Sequence, residues 1–124
     1  MQEQVASMRS QLVGLVLLLA AGPVTAAELV SPKDLQASWF DGKTISTTGP
    51  RGGKAEMTFS PDGKITRTGG RAGAARQGTW RLDDDGFCMR LGEAKRDSCY
   101  LALKNADGSL RVVRRSGGAF TWTR

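Results

Sequence analysis

Gln77-Gly78-Thr79-Trp80-Arg81-Leu82, then Asp83-Asp84-Asp85-Gly86, then Phe87-Cys88-Met89-Arg90-Leu91, is the stretch that decides the fold. Successive side chains of a strand point to opposite faces. A four-residue turn over Asp83–Gly86 sets Leu82 opposite Phe87 and Trp80 opposite Met89. Trp80, Leu82, Phe87, Met89 and Leu91 then share one face, so the stretch reads as an antiparallel hairpin with one buried side.

Working outward, Asp85-Gly86 is one of four Asp-Gly pairs, with Asp41-Gly42, Asp62-Gly63 and Asp107-Gly108. Asp bonds its own backbone and Gly accepts positive φ, so each pair marks a turn. The pairs stand 21, 23 and 22 residues apart, room for two strands between each. That spacing describes a meander whose alternate turns lie at one end. The strands read as Lys43–Thr48, Ala55–Ser60, Lys64–Thr68, Gln77–Leu82, Phe87–Leu91, Ser98–Leu103, Leu110–Arg114 and Ala119–Thr123. Pro61-Asp62-Gly63 as a three-residue loop sets Phe59 opposite Ile65 and Met57 opposite Arg67. Consecutive short hairpins favour an up-and-down barrel, which leaves no exposed edge. Ahead of them, Ser31 suits an N-cap, Pro32 a first helical position and Asp34 the first turn. Leu35, Trp39 and Phe40 would form the apolar face of that helix, which Asp41-Gly42 ends. The expected fold is all-β: a small eight-stranded antiparallel meander barrel, calycin-like, with a short N-terminal helix.

Leu12 to Ala21 is an uncharged apolar run, too short for the roughly 20 residues a membrane span needs. Arg9 precedes it and Val24-Thr25-Ala26-Ala27 follows, the layout of a secretory signal peptide cleaved after Ala26 or Ala27. Residues 1–27 are therefore expected to be the signal peptide and 28–124 a single barrel domain, periplasmic or secreted. Glu3 sits poorly in such a leader, so Met8 competes with Met1 as the start.

Cys88 and Cys99 are the only cysteines, and an even count in an exported chain favours a disulfide. Closing so short a loop contributes roughly 2–3 kcal/mol. One conflict arises. Cys88 faces away from Phe87 and Met89, so Cys99, Leu101 and Leu103 should face outward with it. Yet Leu101, Leu103, Leu110 and Val112 read as core. A bulge, or a cover such as the N-terminal helix over the disulfide face, would reconcile the two.

The chain has no histidine, which removes Ser-His-Asp and Cys-His catalysis and imidazole-bound zinc or haem. Asp83-Asp84-Asp85 lacks the alternating ligands of a calcium loop. Glu56, Glu93 and Asp97 form no recognisable carboxylate pair. No enzyme, metal or cofactor is expected.

The chain is basic, with 18 Lys and Arg against 12 Asp and Glu. Arg51, Lys54, Arg67, Arg71 and Arg76 gather around two glycine-rich segments, Gly49–Gly53 and Gly69–Arg76. Arg51, Arg71 and Arg76 are candidates for an anion-attracting rim, against the plainer role of a solvated surface. Nucleic acid is not expected, because the chain is exported and aromatic interleaving is weak. Arg67 alternates onto the same face as Ile65, and an inward arginine requires a partner or a ligand. With Trp39, Trp80 and Trp122 it is a candidate for a pocket at a barrel mouth. Core packing is the competing role of the tryptophans, Trp80 being the most central.

Asp41-Gly42-Lys43-Thr44-Ile45-Ser46, Phe59-Ser60-Pro61-Asp62-Gly63, Gly78-Thr79-Trp80-Arg81, Cys88-Met89-Arg90 and Cys99-Tyr100 occur in that order. The series resembles a group of small exported proteobacterial proteins that make up a domain of unknown function. The resemblance runs from Leu35 to Tyr100, lapses in Gly69–Arg76 and fades after Tyr100. It implies fold and compartment, and no activity. Ser31 to Gly42 is also similar to the start of periplasmic inhibitors of secreted metalloproteases, eight-stranded barrels with one disulfide. Shared fold alone transfers no function. The expectation is a small non-enzymatic, monomeric binding protein holding a ligand or partner at its mouth or loops. The alternatives are an inhibitor of a protease or other hydrolase acting through its N-terminal segment, and a structural envelope-associated protein.

Overall fold

The computed structural model describes residues 28–70 and 75–124. The signal-peptide reading, its cleavage positions and start, and the rim candidate Arg71 lie outside the described residues. The chain forms β1 (Glu28–Leu29), α1 (Pro32–Ser38), β2 (Thr44–Thr48), β3 (Lys54–Phe59), β4 (Lys64–Gly69), β5 (Arg76–Leu82), β6 (Phe87–Leu91), β7 (Ser98–Lys104), β8 (Leu110–Arg114) and β9 (Ala119–Thr123). From β2 onward each strand pairs antiparallel with the next, and β9 returns to β2 through Ser46↔Thr123, Thr47↔Trp122 and Thr48↔Thr121. The sheet is a closed eight-stranded barrel with one extra strand and one short helix.

Residue type explains the wall. Thr44, Thr58, Thr66 and Thr68 stand on the outer face, where β-branched side chains suit the pleat. Ile45, Met57, Phe59 and Ile65 alternate inward and are buried. Phe59 faces Ile65, Met57 faces Arg67, Leu82 faces Phe87 and Trp80 faces Met89, as the hairpin arithmetic requires. In such a meander the Asp-Gly turns all fall at one end.

Helix α1 closes that end. Ser31 Oγ accepts the Asp34 N–H at 3.2 Å, and Pro32 opens the first turn. Leu35 and Phe40 are fully buried. The Phe40 ring lies 4.5 Å from Phe59, 4.6 Å from Trp80 and 5.2 Å from Phe87. Trp80 is not the centre of this cluster. It is half-buried and turns its Nε1–H to the Ser60 carbonyl at 2.9 Å, while Phe40, Phe59, Phe87 and Trp122 fill the interior.

The disulfide joins Cys88 and Cys99, which face each other across β6 and β7. No bulge intervenes: pairing from Tyr100↔Arg114 to Lys104↔Leu110 is unbroken. Tyr100, Ala102, Leu110 and Val112 are the buried members, while Leu101 and Leu103 are outward and half-buried. The helix does not cover the disulfide, because it occupies the barrel end. Instead Asp83 sits against the Cys88 sulfur, Oδ2 to Sγ 3.7 Å, and is itself held by Arg115 at 3.0 Å. Strand β7 outruns β6, which pairs only with Ser98–Tyr100. The edge left over is taken by β1, through Glu28↔Lys104, Leu29↔Leu103 and the Val30 N–H to the Ala102 carbonyl at 2.8 Å.

Candidate functional site

Among the described residues, nothing fills the barrel end opposite α1. It holds a recess of about 230 Å³ floored by Met57, Met89, Leu91, Tyr100 and Phe120, with Thr47 among its lining. Met57, Met89, Tyr100 and Thr47 are buried. Two methionines make an adaptable floor, because a thioether chain has several rotatable bonds and no branch. The β2–β3 turn borders the recess with Gly49 and Gly53.

Above the floor lies an outer recess of about 620 Å³, bordered by Arg51, Lys54, Arg67 and Gly70 and sharing Gly49 and Gly53. Arg67 belongs to both recesses. It stands inward on β4 opposite Met57, and its guanidinium leans over Gly70. Across the other edge of β4 it faces Arg76. Like charges directly opposite on a sheet are destabilising.

Ion pairing sharpens the picture. Arg81 and Arg90 both hold Asp97 at 3.0 Å, Arg115 holds Asp83 and Asp85, and Arg124 holds Asp41 at 2.8 Å. Among the described residues, Arg51, Lys54, Arg67 and Arg76 have no carboxylate partner, and no carboxylate lines either recess. Asp41 is lowered from the ordinary carboxyl range by its hydrogen bonds from Arg124, Asp97 by Arg81 and Arg90, and Asp107 by the Ser109 hydroxyl and N–H. None of the three lines the mouth.

Of the residues singled out in the sequence, Arg67 and Arg51 meet at the mouth, with Arg76 beside Arg67 on the neighbouring strand. The tryptophans do not join them. Trp122 is fully buried, 5.2 Å from Phe59 and 5.4 Å from Phe87, and its Nε1–H has no hydrogen-bond partner among the described residues. Trp39 packs 6.2 Å from Trp122 with the Arg124 guanidinium 4.8 Å above its ring. All three tryptophans serve the plugged end. The floor carries no mark in the sequence: alternation sets Met57 and Met89 inward but does not say which barrel end they line. Asp83, Cys88 and Cys99 come together, yet the two sulfurs are bonded to each other and are not metal ligands. No family model, curated protein or solved structure matches the chain.

Proposed function

We propose that the protein is a small non-enzymatic binding module that holds its ligand at the open mouth of the barrel. One observation carries this reading: an apolar recess lies beneath an inward arginine that no carboxylate of the described chain neutralises. Apolar concavity with a few convergent polar groups is the usual form of a small-molecule site. The absence of histidine supports a binding role over a catalytic one. We place the protein in the periplasm or outside the cell, a reading supported by the apolar leader-like run at Leu12–Ala21 and compatible with the disulfide.

The mouth is favoured over the N-terminal segment as the working surface. Ser31 to Gly42 is folded onto the barrel, and its Leu35 and Phe40 are committed to the core. An inhibitor that engaged its target through Leu35 or Phe40 would need to withdraw its own plug.

Methionine methyl resonances test the proposal. The chain has four methionines, Met1, Met8, Met57 and Met89, and the last two form the floor. With ¹³C-methyl methionine, a small-molecule library should yield ligands that shift Met57 and Met89 together and saturably. Ligands that bind with both resonances unmoved, or a library without a single binder, would overturn it.

A further inference from the structure

Resting on that reading, we infer that the ligand is a single-chain anionic amphiphile, an acyl carboxylate whose head pairs with Arg67 and whose tail lies on Met57, Met89 and Phe120. Three observations converge. First, the two recesses differ in charge: the inner one is lined mainly by apolar side chains, the outer one adds Arg51 and Lys54, and Arg67 is the charged residue common to both. A purely apolar ligand would cover Arg67 and leave a half-buried cation unpaired, which is costly. A purely polar anion would leave the Met57–Met89 floor unused. Second, Arg67 pairs in register with Arg76, so two like charges stand opposite each other on β4 and β5. A carboxylate bound at Arg67 offsets that repulsion, and a guanidinium fork matches two carboxylate oxygens. Third, the inner volume of about 230 Å³ falls below the roughly 300–1,000 Å³ of common ligand pockets. It has room for one acyl chain along the floor, with the head in the outer recess. The thioether floor tolerates variation in that chain.

Decanoate and 1-decanol share a tail and differ in charge, so the pair separates head from tail. Decanoate should bind and move the Met57 and Met89 methyls, and 1-decanol should bind about tenfold more weakly or worse. Arg67→Gln should abolish that preference by weakening decanoate alone, and Arg67→Lys should restore part of it as a point charge without the fork. Thermal unfolding of each variant checks that the barrel is retained. Equal affinity for decanoate and 1-decanol would overturn the anionic head while leaving the mouth as a ligand site. Failure of both, with other library compounds still moving the methionines, would overturn the amphiphile alone. Failure of every compound would remove the binding reading itself. Sedimentation with phosphatidylglycerol vesicles, in the absence of any decanoate binding, would assign the basic rim to an anionic bilayer and overturn the soluble ligand.

Discussion

A Cβ on Gly78 would run into the carbonyl oxygen of Arg90, and one on Gly86 into that of Tyr100. Neither glycine has positive φ, although Gly42, Gly63 and Gly108 in the other Asp-Gly turns do. Their reason is space. Each oxygen belongs to the backbone of a neighbouring strand, which cannot retreat without disturbing the ladder. Gly78→Ala and Gly86→Ala should each cost about 3 kcal/mol or more in urea unfolding. Gly53→Ala, with nothing within reach of its Cβ, should stay within about 0.5 kcal/mol. A cost below about 1 kcal/mol at Gly78 would mean that the strand can move aside. The aromatic plug offers a second contrast at this scale. Phe40→Ala removes a ring packed among four aromatic neighbours and should cost about 3–5 kcal/mol. Trp122→Phe also empties space, but it removes a buried N–H that has no partner among the described residues, a group whose burial costs about 1–3 kcal/mol. The two effects oppose, and the net loss should stay below about 1.5 kcal/mol. A loss equal to that of Phe40→Ala in the same denaturation experiment would show that the indole N–H is satisfied.

A seven-residue helix is too short to persist on its own, and α1 is held from both ends. Ser31 caps its start. At its finish Arg124, just past β9, donates to both Asp41 oxygens at 3.2 and 2.8 Å and to the carbonyls of Ser38 and Trp39. A cation there satisfies carbonyls that the helix leaves without partners and complements its negative end. Arg124→Ala should therefore lower stability by about 1–2 kcal/mol and Ser31→Ala by about 1 kcal/mol. Arg124→Lys should recover part of the loss, and the shift in thermal midpoint reads all three. If Arg124→Ala left the midpoint unchanged, the plug alone would be holding the helix. The elements themselves were largely legible. Period-two alternation and the Asp-Gly turns located eight strands to within a residue at each end, because one buried face and tight turns over-determine a hairpin. Strand β1 was not legible, since two residues carry no period. The face of the disulfide was not legible either. Leu101 and Leu103 are more apolar than Ala102, and alternation cannot rank two apolar faces until the closed barrel defines an inside. At the site, Arg67 was legible because hairpin arithmetic sets it opposite Met57. The place of the tryptophans was not legible, because aromatic character does not tell one barrel end from the other. That depends on where α1 docks.

Among the described residues, one end of the barrel is closed by a helix and the other is open, and no member of a carboxylate–arginine pair lines the opening. This arrangement fixes how stability should respond to pH. Asp41, Asp97 and Asp107 are each lowered in the folded state, the first two chiefly by hydrogen bonds from arginine and the third by those from Ser109. As pH falls, the unfolded chain takes up protons on these groups first, near the ordinary value of 3.8. Their stabilisation is thus complete above that value and is lost as pH drops through the lower folded values. Asp41 matters most, because its partner Arg124 also secures the plug. On the other side, the chain has no histidine, so no side chain with an ordinary pKa between about 5 and 8 adds a slope there. The thermal midpoint should be flat from about pH 5 to 8 and fall steeply below about pH 4. Asp41→Asn should lower the plateau and make the acid limb shallower, because a group that no longer titrates cannot contribute to it. A midpoint that changed between pH 6 and 8, or an acid limb of unaltered steepness in Asp41→Asn, would show that the Arg124 clasp is not what acid releases.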